Sequence, residues 1–284
     1  QPSWTDVDRD GFPDLHINVE LDEDLLLLNQ GDGTFGPNIA TTIGMNYNGP
    51  APQPGGAWGH EMGKGLSDID NDGDLDFLLT NPGSGLSSKK DAFYRNDSDL
   101  SEGGSGLAFT YIGESTTVGT LNDGIGWGAV FPDLDNDGDA DLVTARGLGT
   151  MLATNRVWLS DYPLTAGEHG ATAFHDVTPA LSPSGLGGCW DTARGLVAFD
   201  YDSDGDLDLI FTRTGASPPL PTDKLDAAMY RNTLVSTNSW VELDLVEAGG
   251  SLNTIGARAF VGAGGETQMK EAICGSSFLS QEPG

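Results

Sequence analysis

Short apolar runs recur along this chain, each placed directly after a polar, acid-rich turn. They are Leu15-His16-Ile17, Phe77-Leu78-Leu79, Leu142-Val143-Thr144 and Leu209-Ile210-Phe211. Their length, β-branching and flanking turn residues predict buried strands, not helices. Ahead of three of the turns, the segments 64–67, 129–132 and 196–199 follow Gly63, Gly128 and Gly195. So glycine-rich a segment predicts an inner strand where backbones crowd. The first copy keeps only Ser3, Trp4 and Thr5 of that strand. A third strand is predicted at 25–28, 92–94, 156–159 and 228–230. A fourth is predicted in three copies, near Thr34-Phe35, at 107–112 and at 173–177. Gly31-Asp32-Gly33 is a strong hairpin signal between the third and fourth strands of the first copy. The inserts 44–60 and 99–106 and the proline-rich 217–222 then become surface loops. No stretch sustains a helical period, so the expected class is all-β. Four short strands per repeat describe a propeller blade.

The turns themselves share one pattern. Aspartate stands at positions 1, 3, 5 and 9 of a nine-residue loop with glycine at position 6. The copies are Asp6, Asp8, Asp10 and Asp14; Asp68, Asp70, Asp72 and Asp76; Asp133, Asp135, Asp137 and Asp141; and Asp200, Asp202, Asp204 and Asp208. Their first aspartates lie 62, 65 and 67 residues apart, a period that marks an architecture as well as a set of sites. Calcium takes about 6–8 oxygen ligands, and such a loop gathers carboxylate oxygen around one point. The glycine permits the positive-φ turn that swings the chain back. A backbone carbonyl at position 7 (Phe12, Asp74, Asp139 or Asp206) completes the expected shell. Magnesium suits the loop less, because it holds its waters and demands a stricter octahedron. An EF-hand is excluded: its position-12 glutamate is replaced by Ile17, Leu79, Thr144 and Phe211, and the flanks read as strands. Without a cation, four carboxylates in one loop repel one another and should splay or hold protons. The expectation is about four structural Ca2+ sites.

Composition sharpens this picture. The 284 residues carry 43 acidic and 13 basic side chains, a formal charge of −30, and 16 of the 32 aspartates occupy the four repeated positions. Four divalent ions would add eight charges and leave −22 (−30 + 8), which argues against nucleic acid or an anionic membrane as partner. No apolar run approaches the ~20 residues of a membrane span. Cys189 and Cys274, 85 residues apart, make no disulfide framework, and their pairing stays open. The chain begins inside a repeat, so the lack of a leader at its start excludes nothing.

No catalytic set emerges. His60-Glu61 opens like a zinc-protease motif, but Lys64 stands where the second histidine belongs. His16 reads as an ordinary strand residue, His175 lies in a strand motif, and His169 in a loop. Nucleophile elbow, phosphate loop and dinucleotide fingerprint are all missing. Nearly every clustered carboxylate pair is committed to a calcium loop, so the expectation is a protein that is not an enzyme. Asn96-Asp97-Ser98 satisfies the glycosylation sequon. Trp58, Trp127, Trp158 and Trp190 offer either sugar-stacking platforms or packing between sheets.

With the loops and strands in place, the chain resembles the FG-GAP (VCBS) repeats of integrin-α-like β-propellers over residues 1–236. Asn29-Gln30-Gly31-Asp32-Gly33-Thr34-Phe35, Tyr94-Arg95-Asn96, Phe174-His175-Asp176-Val177-Thr178 and Tyr230-Arg231-Asn232 support that resemblance. From Trp240 the texture changes. Val241, Leu243 and Leu245 alternate with Glu242 and Asp244 as in a half-buried strand. Ile255 to Val261, Thr267 to Glu271 and Gly275 to Gln281 follow, and residues 237–284 resemble a truncated ASPIC/UnbV module as in cartilage-acidic-protein-like proteins. The resemblance implies a ring of about seven blades, calcium loops between first and second strands, and life outside the cell. The expectation is therefore a fragment: an open arc of about four blades with a small C-terminal β module, secreted or at the cell surface. Two roles remain open, adhesion to or scaffolding of an extracellular protein partner, and lectin-like binding of polysaccharide.

Overall fold

The computed structural model describes residues 1–19, 22–45, 61–81, 91–112, 125–147, 155–160, 174–181, 186, 192–214, 227–234, 238–246, 254–263 and 265–278. It is all-β among them, with one short helix, α1 (Thr178–Leu181). Each repeat forms one antiparallel sheet, and we call these sheets blades 1 to 4. Blade 1 holds β1 (Pro2–Thr5), β2 (Asp14–Ile17) and β3 (Leu25–Leu27). Blade 2 holds β4 (Lys64–Ser67), β5 (Asp76–Leu79), β6 (Ala92–Asn96) and β7 (Phe109–Tyr111). Blade 3 holds β8 (Gly126–Val130), β9 (Leu142–Arg146), β10 (Arg156–Ser160) and β11 (Phe174–Asp176). Blade 4 holds β12 (Thr192–Phe199), β13 (Asp208–Thr214) and β14 (Ala228–Tyr230). A separate hairpin pairs β15 (Arg258–Ala263) with β16 (Glu266–Glu271). The expected fourth strand of the first copy is reduced to a bridge between Asn29 and Phe35.

Strand alternation builds the arc. In β2, Asp14 and His16 are buried while Leu15 and Ile17 are half-buried, so one face looks toward blade 2. Three apolar clusters fill the spaces between successive blades. Val7 and Leu26 meet Phe77 and Tyr94; Leu78 and Phe93 meet Leu142 and Trp158; Val143 and Val157 meet Leu209 and Phe211. Trp158 is thus core packing, one of the two roles open to it.

Inner strands β4, β8 and β12 lie side by side. A Cβ on Gly63 would sit 1.8 Å from the Trp127 carbonyl oxygen, and one on Gly128 2.6 Å from Ser277 Oγ. Crowding of backbones is the reason for glycine there, as the spacing predicts. The β8 and β12 strands begin earlier than expected, each through a bulge at its glycine. Between blades 1 and 2, buried Lys64 places Nζ 3.0 Å from Ser3 Oγ and 2.9 Å from His16 Nδ1. Burial pulls the Lys64 ammonium down to about 7.

One expectation fails. Residues 238–246 form no strand, and Trp240, Val241, Leu243 and Val246 are exposed. Alternation alone does not make a strand without a partner edge to satisfy its backbone. The segment after β16 instead runs along the inner strands. Trp4 N donates to Cys274 O at 2.8 Å, and Cys274 N donates back to Trp4 O at 3.2 Å. Three residues on, Lys64 N donates to Ser277 O at 3.1 Å and Ser277 N to Lys64 O at 2.7 Å. The tail is therefore hydrogen-bonded to the inner strands of blades 1 and 2. Cys189 lies outside the described residues, as do Trp58, Trp190, His60 and His169.

Gly63→Ala tests the axial crowding. The methyl meets a main-chain carbonyl that cannot swing away, so thermal or urea unfolding should show a loss of about 2 kcal/mol or more.

Candidate metal centres

All four aspartate loops share one hydrogen-bond scheme, and each position has its own task. The position-1 carboxylate accepts from the amides of positions 5 and 6. In the first loop Asp10 N and Gly11 N both lie 3.0 Å from Asp6, and the other loops repeat this within 2.9–3.2 Å. The position-5 carboxylate accepts from the position-7 amide, as Asp72 does from Asp74 N at 2.8 Å. Phe12, Asp139 and Asp206 donate to Asp10, Asp137 and Asp204 in the same way. Position 6 is left-handed throughout, with φ of 90° at Gly11, 91° at Gly73, 101° at Gly138 and 92° at Gly205. Position 4 is left-handed too, at Arg9, Asn71, Asn136 and Ser203, which the aspartate pattern did not foretell. Asparagine at two of these places is the one clue, since its short polar side chain tolerates that conformation.

Position 9 pins the loop to its blade. One oxygen of Asp76 accepts from Ile69 N at 2.9 Å and the other from Asn96 N, at the end of β6, at 2.7 Å. Asp14, Asp141 and Asp208 repeat this with Val7 and Asn29, Leu134 and Ser160, and Tyr201 and Asn232. This explains the Tyr-Arg-Asn motifs. Their asparagine supplies the amide, and their arginine turns toward the loop acids, as Arg231 does at 2.8 Å from both Asp202 and Asp204. Asn96 is fully buried, with Nδ2 3.3 Å from Leu75 O, so the sequon at Asn96 is not a glycan acceptor in the folded protein.

Carboxylate oxygens converge in every loop. Asp68, Asp70 and Asp76 each bring an oxygen within 4.8 Å of the others, and so do Asp133, Asp135 and Asp141, and Asp200, Asp202 and Asp208. In the first loop the converging three are Asp6, Asp8 and Asp10. Buried Asp135 Oδ1 has no hydrogen-bond donor, as an oxygen awaiting a cation would. The donor set is oxygen only, which fits a hard ion. The residues present therefore fit calcium, with positions 1, 3 and 9 as holders in loops 2 to 4 and positions 1, 3 and 5 in loop 1. A bound ion would supply the positive charge that these oxygens lack.

Electrostatics favour the same conclusion. Burial pushes the carboxyls of Asp14 and Asp68 up to about 7 and that of Asp141 up to about 8. It raises Asp70, Asp72 and Asp133 to about 6, and Asp76 well above the ordinary range. Neighbouring loop acids add to the rise at most of these. The fourth loop is more open, and its Asp204 is held low by the hydrogen bond from Arg231.

The C-terminal hairpin lies over the loops, a connection that sequence reasoning missed. Arg258 donates to Asp6 O at 2.9 Å and Gly73 O at 3.1 Å, and pairs with Glu271 at 2.8 Å. Glu271 in turn accepts from Asp6 N at 3.0 Å and from Thr5 Oγ1. A Cβ on Gly138 would strike Gln268, and one on Gly205 would strike the Trp240 indole. Loops also touch laterally: Arg9 pairs with Asp74, and Asn136 Nδ2 lies 2.8 Å from Asp206 Oδ1. Apart from Arg258 and Glu271, these hydrogen-bonded and ion-paired partners stand 65 to 266 residues apart, beyond any local signal. Of the tryptophans open to a sugar-stacking role, Trp127 is covered on one face by the Arg194 guanidinium, 3.4 Å from the ring centre.

Fold and loops together define a β-propeller-like repeat protein with an acidic turn between the first and second strands of every blade. Residues 68–144, which span the second and third loops, match the FG-GAP-like repeat. A search of curated proteins finds no match to the chain.

Two predictions follow from the division of labour. Asp70→Asn should weaken calcium binding at least tenfold by calorimetry and leave the melting point in chelator unchanged or higher. Asp76→Ala should cost about 3 kcal/mol or more even in chelator, because it strands two buried amides. The pH dependence has a definite sign. These carboxyls have folded pKa values above their unfolded ones, so protonation favours the ion-free fold. That contribution is complete below about pH 3.8 and is lost as the pH rises through about 6 to 8. Melting in chelator should fall between pH 5 and 8, and calcium should abolish most of the fall.

Proposed function

We propose that this chain is a calcium-stabilised β-propeller module that works outside the cell as a non-enzymatic binding, adhesion or scaffold element. The observation that carries this reading is the convergence of three carboxylate oxygens within 4.8 Å in all four loops. The ion's task is structural: it offsets repulsion and desolvation among buried acids and fixes the blade turns. Extracellular calcium is plentiful enough to fill even sites of about 10⁻⁴–10⁻³ M affinity. The FG-GAP-like match over 68–144 supports a display role, since such repeats hold loops on a rigid frame. The order of segments after the repeats supports an ASPIC/UnbV-like module, as in cartilage-acidic-protein-like proteins. Among the described residues no helix is long and apolar enough to cross a membrane.

Thermal unfolding with millimolar calcium and then with excess chelator tests the reading. The melting point should drop by about 10 °C or more on chelation, and elemental analysis should count about four calcium ions per chain. An unchanged midpoint with no bound metal overturns it.

A further inference from the structure

The residue that gives its amide to each position-9 aspartate is preceded by one that differs from turn to turn. The donors are Asn29, Asn96, Ser160 and Asn232. The residues before them are Leu28, Arg95, Leu159 and Arg231. Two turns thus have an apolar neighbour at this place, and two have a side chain that is always positively charged.

The two arginines act differently, and a residue two positions on accounts for it. In blade 2 Arg95 forks onto Asp97, with Nε 2.7 Å from one oxygen and Nη2 3.2 Å from the other. Held there, its Nε stays 4.0 Å from Asp70 of the loop. The residue two on from Arg231 is Thr233, which offers no charge. Arg231 turns instead into the fourth loop, where Nη2 lies 2.8 Å from both Asp202 and Asp204. One nitrogen thereby bridges positions 3 and 5.

Asp202 is also one of the three carboxylates that converge in this loop, with Asp200 and Asp208. The guanidinium and a metal ion therefore draw on the same oxygens. The other loops hold no cation in this way. Arg9 and Arg258 approach the second loop at Asp74, whose side chain is not among the converging three. Lys270 acts on Asp133 of the third only through space, with no ion pair among the described residues.

We propose that Arg231 is a tethered counter-ion that makes the fourth turn the exchangeable calcium site, while the other three retain their ions. This rests on the calcium reading above and adds regulation to it. An incoming ion must displace the guanidinium from Asp202 and Asp204, which weakens binding at this turn. When the ion leaves, Arg231 neutralises the acids left behind, so the turn keeps its shape. A site weakened into the range of about 10⁻⁴–10⁻³ M follows extracellular calcium, whereas tighter sites stay full. The Trp240 indole, packed against Gly205 of the same turn, supplies a signal for the change.

Calorimetric titration of the metal-stripped full chain with calcium, with tryptophan fluorescence followed in parallel, tests this. Three tighter steps and one weaker by about tenfold or more are expected. The weakest step should carry the Trp240 signal, read as the difference from Trp240→Phe, and Asp202→Asn should abolish it. Arg231→Leu should tighten that step about tenfold or more and leave the other three within about twofold. It should also lower the melting point in chelator but not in calcium, whereas a merely structural ion pair would lower both. Thr233→Asp offers Arg231 the partner that Arg95 has, and should tighten the same step with every loop residue intact. Arg156→Leu removes a cation paired with Asp176, away from the loops, and should leave all four steps unchanged. Four equal steps overturn the proposal alone. So does a weakest step that survives Asp202→Asn, or one that neither Arg231→Leu nor Thr233→Asp tightens. No uptake at any loop overturns the calcium reading together with it.

Discussion

The position-9 aspartate of each turn accepts one amide from its own loop and a second from the end of the third strand of its blade or just past it. That pair of charge-assisted bonds joins a strand entry, a turn and a strand exit at one carboxylate. The group must leave water to do so, and burial, with neighbouring loop acids, raises it, to about 8 at Asp141. Every other feature of the turn answers that cost. Positions 1 and 5 are held by amides, position 3 is turned to the same centre, and the oxygens gathered there invite a divalent ion. The same carboxylate is thus a girder of the blade and a wall of the metal centre. Blade geometry and cation binding are for this reason one problem.

The turns are not independent of each other. Arg258 reaches the first and second loops at once, Gln268 lies against the third, and Trp240 against the fourth. Each of the glycines that shape the second, third and fourth turns also leaves room for a residue of the C-terminal region. A residue with a side chain at position 6 would oppose both the left-handed backbone and this approach. The hairpin therefore reads the shape of several turns together, and loops far apart in sequence are coupled through it.

Much of this was legible in the chain. The aspartate spacing located every first-to-second strand turn, and the apolar runs after it became β2, β5, β9 and β13. Glycine ahead of the inner strands marked backbone crowding correctly. What escaped has a common physical cause, namely that its partners are remote. Trp240 to Leu245 alternates like a strand, yet it forms none, and Trp240, Val241 and Leu243 stay exposed. Arg258 and Glu271 lie in segments noted for their resemblance, but nothing local announces their partners, which are Thr5, Asp6 and Gly73. Asn96 satisfies a sequon that its burial cancels. Left-handed position 4 was hidden because arginine, asparagine and serine share no obvious turn preference.

The backbone pairing between Trp4 and Cys274 has a consequence for how the molecule is made. Its two partners are separated by 270 positions (274 − 4), so the innermost edge of blade 1 waits for a long stretch of later sequence before it is satisfied. Contacts of such range form late and slowly, because so much chain must be brought together first. Until then a nascent molecule displays bare main-chain donors and acceptors at its hub. On the ribosome, that hub is where a chaperone, or a neighbouring unfinished chain, would first take hold.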